Sequence, residues 1–230
     1  LLCIGGCDAE RCHDDVFRLQ WLPEERELKL QRLPNLPRPL AFMAGAMVDD
    51  VVYLMGGQEK MGGDATNNFW SLDLSKPSAE LAWKELPPWS GPPRILPLAA
   101  SQSNGENDCL YLFSGRNPHS EKATEMLTDA YRFGPSDKTW SPLAEISTGD
   151  GQPRCVMAGT CAPIGVAHIL VFGGADGQRF LEIETLNARI AELDRSGEDS
   201  NETNSTELAE LKTQHLRFHE QHTGFSRDIL

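Results

Sequence analysis

The side chains best suited to chemistry in this 230-residue chain are arginines that recur in one context. Arg38, Arg94 and Arg154 each follow a proline and precede a strand-like run. A guanidinium presents a rigid fork of N–H donors that matches a carboxylate, so arginines converging on one mouth of a fold would bind an acidic ligand through its carboxylate. The same recurrence has a structural reading, in which each arginine pairs with an acid of a neighbouring repeat or with loop carbonyls, and both readings stay open. Arg116, which follows a glycine in FSGRNP, is a further candidate cation, and Asn117 beside it could bind an amide or hydroxyl group. Asp176 and Gln178 open a long loop and add an acid and an amide.

Metal chemistry finds less support. Cys7, Cys12 and His13 lie close together, but no second CxxC-like half completes four ligands, so no metal is expected. His215 and His219 are at i and i+4 of a helical pattern without the glutamate of HExxH, and read as exposed helix surface. Cys3, Cys109, Cys155 and Cys161 fall in apolar runs, where a free cysteine behaves as a small buried hydrophobe.

Composition narrows the partners. The chain holds 21 Lys+Arg against 34 Asp+Glu, a net charge of −13, which argues against nucleic acid or an anionic membrane surface. No stretch approaches the roughly 18 to 20 apolar residues of a membrane span. The chain opens and closes in what read as strands, Leu1–Ile4 and Asp228–Leu230, so a fragment of a longer protein is expected.

The elements that must position these residues emerge from a repeat. An apolar run closing on a glycine pair or a near variant ends at Gly6, Gly57, Gly115 and Gly174. After each comes an acid or amide leading alternating apolar residues, at Asp15, Asn68, Asp129 and Asp228. Leu33-Pro34, Leu86-Pro87 and Leu143 then close three units, the second and third with a tryptophan three residues earlier, Trp83 and Trp140. Four short strands per unit of about 50 residues is the grammar of a kelch-type β-propeller. Inner strands crowd the axis and should be small-residued: Ala44-Gly45-Ala46, Ala99-Ala100-Ser101 and Ala158-Gly159-Thr160. The next strand out is covered on both faces, so it reads as an unbroken apolar run, and the tryptophans read as packing between blades. The expected blades are 1–37 (partial), 38–92, 93–152 and 153–230 (incomplete).

The loop after the glycines is far longer in the fourth unit than in the others. Within it Ile183, Leu186, Ile190 and Leu193, then Leu208, Leu211, His215 and Phe218, recur at helical spacing. Two helices are predicted over about 178–222, joined by a polar link at 196–205, with Asn204 and Glu207 capping the second. This insertion reads as a solvated excursion, a lid, or a subunit contact that would make a homodimer.

Four kelch-like units with one helical insertion after HILVFGGADGQRF resemble the N-acetylneuraminate epimerase (sialic acid mutarotase) family of six-bladed propellers. The likeness rests on the run from the apolar glycine strand through Asp176-Gly177-Gln178-Arg179-Phe180 into two helices, and the unit order beginning GGCDAERCHDDVF is similar to its circularly permuted subgroup. The resemblance implies interconversion of the α and β anomers of N-acetylneuraminate, a small sugar acid, without cofactor, in a bacterial periplasmic setting. It makes Arg94 the first choice for the carboxylate, because its Pro-Arg matches the family's. It also implies a catalytic Glu followed six residues later by Arg in a Gly-Glu context. Gly105-Glu106 precedes its strand and Gly197-Glu198 lies in the polar link, so the catalytic residues are unknown here and expected beyond Leu230. The other reading is a non-enzymatic kelch propeller that binds a protein or glycan through its channel-face loops; a copper-radical oxidase is disfavoured by the three tyrosines.

Overall fold

The computed structural model describes residues 1–119, 123–147, 149–195 and 202–220. The strands are β1 (Leu2–Ile4), β2 (Val16–Leu22), β3 (Glu27–Arg32), β4 (Ala44–Val48), β5 (Val51–Met55), β6 (Phe69–Asp73) and β7 (Lys84–Glu85). They continue with β8 (Leu98–Ser103), β9 (Asp108–Asn117), β10 (Glu125–Gly134), β11 (Thr139–Leu143), β12 (Thr160–Ile164) and β13 (His168–Phe172). Helices α1 (Gln178–Arg195) and α2 (Glu202–Glu220) follow. The strands form antiparallel sheets in the orders β1-β2-β3, β4-β5-β6-β7, β8-β9-β10-β11 and β12-β13. Sheet neighbours are chain neighbours throughout, as tight turns between short strands require. Among the described residues no helix is long and apolar enough to cross a membrane.

The core lies between sheets, and side-chain alternation explains it. In β5, Val52 and Leu54 face the first sheet and pack with Val16, Leu36, Leu40, Trp70 and Leu72. Tyr53 and Met55 point the other way and pack with Phe69, Leu110, Leu112 and Phe133 of the second and third sheets. A strand covered on both faces has no place for polar residues, hence VVYLM. The corresponding β13 is only half-buried.

Outer-strand tryptophans fasten each sheet to the one before it. Trp83 Nε1 donates to Pro34 O at 2.9 Å and Trp140 Nε1 to Pro87 O at 3.1 Å. The Leu-Pro segment closing one unit is thus the acceptor for the next unit's tryptophan. Trp140 also packs edge-on to Phe69 and Trp89.

Inner strands β4, β8 and β12 lie side by side. Phe42, Leu96 and Ala158, just ahead of them, adopt φ of 59°, 54° and 56°. Leu96 N–H donates to Phe42 O at 2.8 Å and Ala158 N–H to Leu96 O at 3.1 Å. These left-handed residues form a backbone-bonded arc around the axis. Ala158 therefore belongs to the turn, and β12 begins at Thr160 instead of Ala158.

The insertion forms the α1–α2 pair, closed by Arg189 to Glu207 at 2.9 Å and Lys212 to Asp194 at 2.9 Å. Helix α2 starts at Glu202, so Asn204 lies within its first turn and is not its cap. The rest of the expected polar link, 196–201, lies outside the described residues, as does the Asp228–Leu230 strand. His215 is half-buried, not exposed, because it shares the helix face that carries Leu211 and Phe218.

Candidate functional site

Strands β1, β5 and β13 run into their glycines at one rim, whereas β9 continues through Gly115 to Asn117. Short backbone ladders hold the rim: Ala41 pairs with Gln58, Ile95 with Arg116 and Met157 with Ala175. Gly57 N–H donates to Arg94 O at 2.8 Å, and a Cβ on Gly56 (φ 71°) would come within 2.5 Å of that same oxygen. Only glycine permits both the backbone conformation and the approach. In the third unit Ser114 replaces the first glycine, at φ 54°. Its Oγ donates to Leu127 O at 2.6 Å and accepts from Val156 N–H at 2.8 Å, joining the third sheet to the fourth unit.

The three proline-flanked arginines are not equivalent. Counted from the left-handed residues, Arg38 and Arg154 lie four positions earlier, whereas Arg94 lies two earlier and aligns with Leu40. Arg94 is fully buried. Its Nη1 and Nη2 donate to the two Asp129 carboxylate oxygens at 2.9 and 2.7 Å, Nη1 also to Ser114 O at 3.0 Å, and Nε and Nη2 to Pro92 O at 3.4 Å. The guanidinium also lies over the rings of Trp89 and Tyr131. Every donor is engaged and no surface remains for a ligand, which corrects the expectation that Arg94 binds a substrate carboxylate. Burial, with the Asp129 charge beside it, pushes the Tyr131 hydroxyl up to about 12.

Arg38 lies over Trp70 and is tied to Glu59 at 2.9 Å and to Asn68 Oδ1 at 2.9 Å. It lines a cavity of about 580 Å³ with Glu10, Arg11, His13, Glu59 and Lys60. Its charge is matched by Glu59, and its side chain keeps 45% exposure at the cavity wall. Arg154 is half-buried, and its backbone N–H donates to Ile146 O at 2.8 Å.

Arg116 is set differently. It is the penultimate residue of the long β9, half-buried, with its guanidinium 3.7 Å from the centre of the Phe180 ring on α1. Among the described residues its buried Nε has no hydrogen-bond partner. Burial lowers its pKa, a loss that Glu184 partly opposes. Glu184 is occupied elsewhere: its oxygens accept from Thr124 N–H at 3.1 Å and Thr124 Oγ1 at 2.6 Å. Asn117 is buried beside Arg116. Asp176 is exposed at the start of the insertion, where its Oδ1 accepts from Gln178 N–H at 3.1 Å, and Gln178 is exposed on the first turn of α1. Gly177 abuts the Met126 side chain at φ 83°, so a side chain there would strain the backbone and displace Met126. The structure thus gathers Arg116, Asn117, Asp176 and Gln178 where α1 meets the third sheet, and leaves Arg94 and Arg38 elsewhere.

Phe180, noted in the sequence only as the end of the Asp176–Phe180 run, completes this cluster with Glu184 and Thr124, neither of which was singled out from sequence. Phe180 and Glu184 are one helical turn apart on α1, a relation readable from spacing. Thr124 carries no comparable signal.

These features place the chain in a class, the kelch-type β-propellers with a helical insertion. A solved structure described as "Structure of YjhT" shares the fold, with a TM-score of 0.53 and 22% identity over 80% of this chain and 44% of that one. The profile of the N-acetylneuraminate epimerase family (NANM) matches residues 33–226, and the chain belongs to that family. It is 32% identical over 143 residues to the N-acetylneuraminate epimerase of Pasteurella multocida (strain Pm70), covering 62% of this chain and 33% of that protein. It is 34% identical over 146 residues to that of Haemophilus influenzae (strain PittEE), covering 64% and 34%. The chain spans about a third of the length of these curated relatives.

Proposed function

We propose that the intact protein interconverts the α and β anomers of N-acetylneuraminate and that Arg116 holds the sugar's carboxylate. The observation that carries this reading is the state of Arg116: a guanidinium stacked on Phe180, with a buried unpartnered Nε–H and its neighbouring carboxylate already engaged by Thr124. A buried donor left unsatisfied costs roughly 1–3 kcal/mol, and an incoming carboxylate would satisfy it with a charge-assisted bond. Family membership supports the choice of sugar acid.

The chemistry explains why that anchor matters. The carboxylate is carried on the anomeric carbon itself, so fixing it fixes the reacting centre. Mutarotation removes the proton of the anomeric hydroxyl while the bond from that carbon to the ring oxygen breaks and the ring oxygen takes a proton. The open keto acid then recloses from the other face by the reverse proton movements. A general base and a general acid are needed, and this chain's part is to bind and orient. Asn117, Asp176 and Gln178, beside Arg116, are assigned to the sugar's acetamido and hydroxyl groups.

Proton NMR exchange on the intact protein with N-acetylneuraminate tests the activity. Anomer exchange accelerated well above the spontaneous rate supports the reading; an unchanged rate with unbroadened sugar signals overturns it.

A further inference from the structure

We propose that Cys7 and Cys12 are a redox-active dithiol that closes into an intramolecular disulfide across the turn following β1. The two cysteines are directly opposed in a short antiparallel ladder. Its hydrogen bonds run from His13 N–H to Gly6 O at 2.8 Å and from Asp8 N–H to Arg11 O at 3.0 Å, so they flank the cysteines instead of joining them. That is the non-hydrogen-bonded pair of an antiparallel ladder, in which Cα atoms stand about 4.5 Å apart and side chains leave on one face. A disulfide requires Cα atoms roughly 4.4–6.8 Å apart, so this register takes the bridge without backbone movement.

The turn is held in that register before any oxidation. Asp8 Oδ1 accepts the N–H groups of Glu10 and Arg11, both at 2.8 Å, and Oδ2 lies 2.9 Å from His13 Nε2. Among the described residues no other cysteine has such an opposite number in its ladder: Cys3 faces Phe17, Cys109 faces Gln102 and Cys161 faces Val171. Cys155 is buried against Ser114 and Gly115 O. Among the described residues no three His, Cys, Asp or Glu side chains converge as metal ligands.

Exposure assigns the order of events. Cys7 is exposed and Cys12 buried, so an oxidant meets Cys7 first. With a low-molecular-weight disulfide as oxidant, the Cys7 thiolate attacks one sulfur, expels one thiolate and forms a mixed disulfide. Cys12 then loses its proton to solvent and attacks the Cys7 sulfur, expelling the second. The protein loses two electrons and two thiol protons; the reagent is reduced to two thiols. Burial, with Cys7 and Asp8 nearby, raises the Cys12 thiol, which suits a resolving thiol that reacts only once its partner is activated beside it. Cys12 and His13 line the 580 Å³ cavity with Arg38 and Glu59, so the bridge would fix one wall of it.

The test equilibrates the intact protein with mixtures of reduced and oxidised glutathione, alkylates it, and maps tryptic peptides by mass spectrometry. Arg11 lies between the two cysteines, so cleavage after it leaves them on separate peptides joined only through the bridge. The expected result is a linked pair containing Cys7 and Cys12–Arg18 that separates on reduction. Cys7→Ser should abolish it, and Cys12→Ser should leave glutathione on Cys7. Three wild-type outcomes overturn the proposal: both thiols alkylated at every ratio, glutathione retained on Cys7 with Cys12 free, or Cys7 linked to another cysteine.

Discussion

Nη1 and Nη2 of Arg94 stand 2.9 and 2.7 Å from Oδ1 and Oδ2 of Asp129, a parallel pair of charge-assisted bonds within one blade. The two partners are unequally buried: the Arg94 side chain has no exposure, whereas that of Asp129 keeps 25%. Removing the acid strands a buried cation, while removing the arginine leaves an acid that water can reach. Asp129→Asn should therefore cost about 3–5 kcal/mol of stability and Arg94→Met about 1–3 kcal/mol. Urea denaturation of the intact protein measures both. Equal losses, or a loss of sugar affinity in folded Arg94→Met, would contradict a purely structural role.

The Asp8 carboxyl is held down from 3.8 to about 2, first by the backbone N–H of Arg11, then by that of Glu10 and by the His13 side chain. A depressed folded value means that Asp8 contributes stability above its unfolded value near 3.8, and loses that contribution as pH falls through about 2. Wild type should thus be more stable than Asp8→Asn at pH 5, with the gap narrowing toward pH 2. Denaturation midpoints at the two pH values decide it; a gap that widens on acidification would refute the assignment.

Thr124 keeps Glu184 away from Arg116 by donating two hydrogen bonds to it. Thr124→Val removes the hydroxyl donor and frees that carboxylate oxygen to turn toward the guanidinium. Affinity for N-acetylneuraminate should then fall by about 1 kcal/mol, roughly fivefold, and Thr124→Ser should restore it. Calorimetric titration reads the difference. Unchanged affinity in the valine variant would separate Glu184 from the site.

The propeller plan was legible because its physics is local and repeated. Glycine pairs, small inner strands and the doubly covered VVYLM run each follow from one geometric demand at one place in the blade. The error over Arg94 arose where that signal stops. Phe42, Leu96 and Ala158 set the true register through left-handed backbones, yet none is a residue type that advertises such a conformation. Pro-Arg therefore looked equivalent at positions two residues out of step. Arg116 and Phe180 were both visible as residues of interest, but their contact spans a sheet and an insertion, and no local periodicity reports it. The start of α2 at Glu202 was missed because Thr203, Asn204 and Ser205 are weak helix formers and read as link.

The most direct test of the central claim compares N-acetylneuraminate anomer exchange in the intact protein and its Arg116→Gln variant by proton NMR, with substrate affinity measured alongside. The account predicts accelerated exchange in the wild type. It predicts affinity at least about 30-fold weaker in the variant, from the loss of about 2 kcal/mol or more of carboxylate binding, with the fold intact. Wild-type acceleration that survives in a variant of undiminished affinity would contradict the role of Arg116, and no acceleration by the wild-type protein would contradict the activity itself.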